Sequence, residues 1–188
     1  MNDFTLNFLA GRTIEHAVKD AIKQRYTVVM TANLRGDNGH GPRTEDAEMG
    51  TVLADLQLYR GVRAGWVEVK GKSAPMHYRN WGRYEHGIDA SKWREYVKLQ
   101  KETAQPVYLL ICEVNSAELL MQSLNTLWTA GGYRPGAFGG KQLINFDRSA
   151  FALVGTMYLP VDDLRQLSVS IDWGSFESFV TQPMLIED

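Results

Sequence analysis

Residues 66–72 read Trp66-Val67-Glu68-Val69-Lys70-Gly71-Lys72. The alternation is that of a β-strand, with Val67 and Val69 on one face and Trp66, Glu68, Lys70 and Lys72 on the other. A carboxylate and an ammonium side by side on the front of an apolar-backed strand are most simply a solvated sheet face. The preceding apolar segment changes that reading. Within "VLADLQLY", Leu56 and Leu58 alternate with Asp55, Gln57 and Tyr59. If the two segments form a hairpin with its turn near Gly61 and Val62, Asp55 falls opposite Glu68. Facing side chains on paired strands stand about 5 Å apart at Cβ. Two carboxylates so placed repel by roughly 4 kcal/mol at 4 Å and an effective dielectric of about 20. A divalent cation gives a reason to build such a pair, because hard Mg²⁺ takes carboxylate oxygens, water and substrate phosphates. Lys70, on the same front, is suited to orient a water and to stabilise charge developing on a phosphate.

Working outward, Thr13 to about Arg25 reads as a helix with Thr13 as N-cap and an apolar stripe of Ile14, Ala17, Val18, Ala21 and Ile22. "YTVVMTA" (26–32) reads as a first strand, and the polar, Gly-rich stretch 33–50 as a flexible loop that folds over a substrate. The second strand spans 51–59, and "WVEVKGK" is the third. Asp89 caps a second helix over 90–103, and the continuous apolar run of "PVYLLICEV" (106–114) predicts a strand buried on both faces. Residues 116–128 read as a third amphipathic helix with Leu119, Leu120, Leu124 and Leu127 inward. Strand-like "KQLINF" (141–146) and "AFALVGTMYLP" (150–160) follow, then a short helix near 161–167 and a tail with no assigned structure. Together these predict an α/β fold, a central mixed sheet flanked by helices in the order helix-strand-strand-strand-helix-strand. The expected division is a core over 1–115 and a C-terminal α/β extension over 116–188, packed on that core as one domain.

Composition bounds the function. With 188 residues, 44% hydrophobic and 22% charged, the chain is long enough for one well-formed core. The longest apolar run, 107–112, is far shorter than a membrane helix needs, so no membrane association is expected. The opening MNDFTLNFLAGRT lacks the basic start and apolar stretch of a secretory signal. The lone Cys112 makes no internal disulfide, which suits a reducing, cytoplasmic setting. Net charge is −2, but 60–101 holds ten basic and four acidic residues, while the rest carries −8. A locally basic, aromatic-bearing segment inside an acidic chain fits a polyanionic partner such as DNA.

Asp55, twelve intervening residues, then Glu68-Val69-Lys70 resembles the D-x(n)-(D/E)-x-K signature of the PD-(D/E)xK nuclease superfamily. That superfamily includes Holliday-junction resolvases, restriction enzymes and phage recombination nucleases. The resemblance spans roughly 13–114 and implies a restriction-endonuclease-like core. It also implies a metal-dependent nuclease cutting DNA phosphodiesters with Mg²⁺ or Mn²⁺. Asp55 and Glu68 would hold the ion with the Val69 carbonyl, and Lys70 would serve the attacking water. Glu15 on the first helix is the position that completes the metal site in relatives. Gln100 on the second helix, with Lys98 as the competing choice, matches a residue seen beside the family's catalytic group. The family's proline before the first aspartate is Ala54 here. Lys72, Arg79, Arg83, His86 and Lys98 are the expected nucleic-acid contacts, with Tyr78, Trp81 and His86 in loop and Trp93 and Tyr96 in core. A junction-cutting member would act as a homodimer. The rival from another class is a non-catalytic nucleic-acid-binding or assembly module on the same fold.

Other signals fail. "GGYRPGAFGGK" has Pro135 and Gln142 where a phosphate-binding loop needs glycine and Ser/Thr, and the four histidines lack zinc-ligand spacing.

Overall fold

The protein is seen in a computed structural model that describes residues 3–31, 52–61, 63–78, 82–129, 134–138, 140–158, 160 and 166–180; the side chains of 3–10, 63, 134, 135, 137, 138 and 141 lie outside that description. Four helices are described: α1 (Asp3–Ile22), α2 (Ala90–Thr103), α3 (Leu124–Thr129) and α4 (Trp173–Val180). The strands are β1 (Thr27–Met30), β2 (Leu56–Arg60), β3 (Arg63–Lys72), β4 (Met76–Tyr78), β5 (Arg83–Asp89), β6 (Val107–Glu113), β7 (Glu118–Ser123), β8 (Arg134–Phe138), β9 (Lys141–Asp147), β10 (Ala152–Tyr158) and β11 (Ser168–Ile171). They form a seven-stranded mixed sheet in the order β1-β2-β3-β6-β7-β10-β11 and a four-stranded sheet in the order β4-β5-β9-β8. Among the described pairs of the large sheet only β3 and β6 run parallel. A parallel neighbour needs a crossover, which α2 provides. The fold is thus α/β, a large mixed sheet flanked by helices, as the sequence predicts.

The alternation of β3 sorts its residues as expected. Val67 and Val69 enter a core with Ile14, Val18 and Ile22 of α1, whereas Trp66 enters a second core with Trp93, Tyr96 and Leu99 of α2. β6 explains its unbroken apolar run in the same way. Tyr108, Leu110 and Cys112 face the first core, and Val107, Leu109 and Ile111 the second, so every residue of the strand is buried. Asp89 caps α2 as predicted, its carboxylate accepting the Ser91 N–H at 2.9 Å.

Three expectations are corrected, and two unassigned stretches gain structure. Helix α1 begins at Asp3, so Thr13 lies within it and is no N-cap; Gly11 costs the helix about 1 kcal/mol relative to alanine without ending it. Residues 116–128 are not one helix. Leu119, Leu120, Met121 and Gln122 are all buried in β7, wedged between β6 and β10, and α3 starts only at Leu124, its Thr126 N–H capped by Ser123 Oγ at 3.1 Å. The segment between β3 and α2 is a hairpin, β4–β5, which puts Tyr78 and His86 in strands instead of loop. Finally, residues 134–138 of the Gly-rich stretch form β8, and the unassigned tail contains β11 and α4. The expected loop at 33–50, Arg79, Trp81, and residues 161–165 of the expected short helix lie outside the described residues. Both sheets take strands from beyond residue 115. Among the described residues no helix is long and apolar enough to cross a membrane.

The joint between β10 and β11 depends on Gly155, which sits at a register shift against β7. A Cβ there would lie 2.2 Å from the Ser170 carbonyl oxygen and 3.1 Å from Leu119 Cδ1. Backbone cannot yield as a side-chain tip can, so Gly155→Ala is expected to cost about 2–3 kcal/mol in urea denaturation. An unchanged midpoint would mean that β11 is not held against β10 as described.

Candidate active site

The β2–β3 ladder pairs Leu56 with Val67 and Arg60 with Arg63, which sets Asp55, one residue before the ladder, opposite Glu68. This is the register that a turn at Gly61–Val62 predicts. Asp55 is where β2 leaves the sheet, and two contacts hold it there. The Thr31 N–H donates to the Asp55 carbonyl at 3.0 Å, and the buried Thr31 hydroxyl donates to the Ala54 carbonyl. With β2 absent beyond this point, the Val69 N–H loses its strand partner. Asp55 Oδ2 accepts that N–H at 2.9 Å. A buried N–H without an acceptor would cost about 1–3 kcal/mol, so the bond fixes the carboxylate beside β3. The N–H and C=O of one residue in a strand point to the same side, so the Val69 carbonyl faces the same gap.

Glu68 is only 3% exposed. Its Oε1 accepts from both Lys70 Nζ and the Tyr96 hydroxyl, the latter delivered by the inner face of α2. Burial, reinforced by the Glu68 charge and opposed by Lys70, holds the Asp55 carboxyl well above its usual range. Glu15, half-buried on α1, is raised as well, chiefly by burial, with Lys70 opposing and Glu68 adding. Burial alone would lower Lys70, but the charges of Glu68 and Asp55 outweigh it and keep the ammonium protonated. Tyr96 is pushed well up by burial and by Glu68, so it stays a donor. Three acids thus share one field with Lys70, and the excess of negative charge is met by retained protons or by a bound cation.

The remaining expected residues are less closely grouped. Gln100 lies one turn beyond Tyr96, and both ends of its amide are used: Nε2 donates to Asn125 Oδ1 at 2.6 Å and Oε1 accepts the Val107 N–H at 3.1 Å. It braces α2 against β6 and α3, and Tyr96 occupies the place expected of it. Lys72 is half-buried with Nζ donating to the Gly87 carbonyl at 3.0 Å, which ties β3 to β5. His86, expected as a nucleic-acid contact, is 1% exposed and lies 2.6 Å from Glu113 Oε1, inside the core. Arg83 and Lys98 are on the surface, beside Asp147 at 3.7 Å and Glu102 at 3.7 Å respectively. Tyr96 and Thr31 are the residues that sequence reading missed. The signal available for Tyr96 was partial: it shares the inward stripe of α2 with Gln100, which narrows the partner of Glu68 to one of the two.

Among the described residues no three His, Cys, Asp or Glu side chains form a ready metal cluster. The donor set nevertheless fits a hard divalent ion. One oxygen of each carboxylate is bonded, Asp55 Oδ2 and Glu68 Oε1, while Asp55 Oδ1 and Glu68 Oε2 take no bond from the described residues and are not among its buried orphans. Two carboxylate oxygens and a carbonyl are what Mg²⁺ or Mn²⁺ accepts, with water and substrate phosphate completing the shell.

Comparison with known proteins gives a likeness of fold. The chain is similar to Hjc, a Holliday junction resolvase from the archaeal hyperthermophile Archaeoglobus fulgidus, at 11% identity and a TM-score of 0.46, over 75% of this chain and 86% of that one. It is also similar to a nuclease from a fusselovirus, at 11% identity and a TM-score of 0.44, over 81% of this chain and 88% of that one. No family model and no curated protein sequence matches.

Proposed function

We propose that this protein is a metal-dependent nuclease that hydrolyses DNA phosphodiester bonds, of the kind that resolves Holliday junctions or acts as a phage-type recombination and repair endonuclease. The observation that carries the reading is the meeting of Asp55 and Glu68 at the end of β2, with Lys70 on the same side. Asp55, Glu68 and the Val69 carbonyl would hold one or two Mg²⁺ or Mn²⁺ ions, with Glu15 at the border of the site. A bound ion supplies Lewis-acid stabilisation of phosphate charge and lowers the pKa of water. Lys70, kept as an ammonium, is a donor and not a base; it orients the attacking water and stabilises charge on the phosphate oxygens. Thr31 and the Val69 N–H keep Asp55 in place during this step. The basic stretch 60–101 grips the backbone, Arg83 and Lys98 presenting charge at the surface, so binding weakens steeply with salt.

The test is cleavage of a labelled panel (plasmid, linear duplex, single strand, four-way junction) in EDTA, Mg²⁺ or Mn²⁺, comparing the protein with Lys70→Ala. Cutting is expected only with metal, reduced roughly 10²–10³-fold in the variant. The preferred panel member names the substrate. Folded protein that cuts nothing in either metal would make it a nucleic-acid-binding module, and cutting that survives Lys70→Ala would place the chemistry elsewhere.

A further inference from the structure

Lys70 is called on twice. Its Nζ is bonded to Glu68 Oε1, and its role in hydrolysis asks the same three-donor ammonium to reach a water or phosphate oxygen as well, which shifts it on its flexible stem. A buried Glu68 held by a lysine alone would turn as that ammonium shifted, and the oxygen offered to a metal ion would move with it. Glu68 has a second donor on the same atom. The Tyr96 hydroxyl bonds Oε1 from the opposite layer, α2, and Tyr96 is 2% exposed, so its ring has no freedom to leave. It is packed in the core that includes Trp66, Trp93 and Leu99. The helix itself is anchored on either side of the contact. Asp89 caps its start, and at its end Thr103 Oγ1 accepts the Trp66 indole N–H at 3.2 Å.

We infer that Tyr96 is a positioning residue. It clamps Glu68 Oε1 so that Oε2 stays presented to the metal whether or not Lys70 is engaged elsewhere. This rests on the nuclease reading. The tyrosine touches neither metal nor substrate and acts through the carboxylate, as the outer partners of metal ligands generally do, with losses of 10–100-fold in affinity or activity when they are removed.

The experiment is calorimetric titration of Mn²⁺ into the full chain, alongside steady-state cleavage, for the unsubstituted protein, Tyr96→Phe and Asp55→Asn. Tyr96→Phe keeps the ring and leaves Glu68 its lysine, so its Tm is expected to stay within about 4 °C. Its Mn²⁺ affinity is expected to fall 10–100-fold, with kcat reduced and the KM for DNA unchanged. Asp55→Asn is expected to show no binding heat. If Tyr96→Phe binds Mn²⁺ as tightly as the unsubstituted protein while Asp55→Asn does not bind, the clamp is wrong and the metal site stands. A lower Tm with unaltered Mn²⁺ affinity would likewise make Tyr96 purely structural. If the unsubstituted protein itself gives no heat with Mn²⁺, the metal site falls, and the clamp with it.

Discussion

Asp55→Asn is expected to abolish cleavage, by roughly 10³-fold or more, and at the same time to raise the thermal stability of the metal-free protein. The two effects have one cause. Asparagine keeps an oxygen that accepts the Val69 N–H, so the joint between the end of β2 and β3 survives. What it removes is a negative charge that burial and Glu68 both oppose. The sign follows from the raised folded value. The unfolded carboxyl loses its proton near 3.8, whereas the folded one holds it to higher pH. The native state therefore binds more protons in that interval, and stability falls as pH rises through it. The Tm advantage of Asp55→Asn should open upward from about pH 4 and level off once the folded carboxyl is ionised, at roughly 2–4 °C for each kcal/mol relieved. Melting curves in EDTA at pH 4.5 and 8 measure it. Mn²⁺ should then raise the Tm of the unsubstituted protein and leave the variant unmoved, since a ligand at 100 times its Kd adds about 2.7 kcal/mol only to the state that binds it. A variant that melts lower than the unsubstituted protein at pH 8 would make Asp55 a structural residue.

This pair was legible because a hairpin register is integer arithmetic. Once the turn is put at Gly61–Val62, the partner of Glu68 follows without any knowledge of the rest of the fold, and the ladder bears it out. The partner on α2 does not follow in this way. Tyr96 and Gln100 lie one turn apart on the same helix face, and which of them meets Glu68 depends on how far α2 slides along β3. That offset is set by contacts distant in sequence, among them Trp66 with Thr103 and Gln100 with Asn125. The β4–β5 hairpin was hidden for a related reason. Glycine is disfavoured inside strands, yet Gly87 sits within β5, where the Asn145 side chain of β9 crosses over it. A Cβ at Gly87 would lie 2.6 Å from Asn145 Oδ1. The run Leu119-Leu120-Met121 suits a helix stripe and a doubly buried strand equally well, and only its place between β6 and β10 decides.

The buried His86, expected as a nucleic-acid contact, belongs to a charge cluster tying the two sheets together, and removing Arg148 from it is expected to be the costliest side-chain truncation outside the hydrophobic cores. Glu113, at the end of β6, is 2% exposed. Arg148 holds it bidentately, Nε to Oε1 at 2.7 Å and Nη2 to Oε2 at 3.0 Å, and Arg148 also contacts Glu118 of β7. Ser116 Oγ donates to Oε2 at 2.8 Å, and His86 of β5 lies against Oε1. Despite a burial cost, Arg148, Ser116 and His86 lower the Glu113 carboxyl to about 2. The stability this provides is complete above the unfolded value of 4.5 and is lost as pH falls through about 2. Arg148→Met leaves a buried carboxylate short of its cation. The loss should be about 3 kcal/mol at pH 8, the low end for a broken buried pair because the arginine is itself one-third exposed. The variant's stability should also respond to pH differently from that of the unsubstituted protein. Burial first, then the charges of Lys72 and Arg148, hold His86 below its usual value against the pull of Glu113. Removing the Arg148 charge takes away one of the influences that lower the histidine, so its value moves upward from where the unsubstituted protein holds it. A His86 that is easier to protonate loses the variant less stability than the unsubstituted protein as pH falls below the unfolded value of 6.5. Urea denaturation at pH 8 and pH 5.5 should therefore show the deficit shrinking at the lower pH. An equal deficit at both pH values would mean that His86 does not answer to Glu113, and a deficit under about 1 kcal/mol would mean that the cluster does not hold the sheets together.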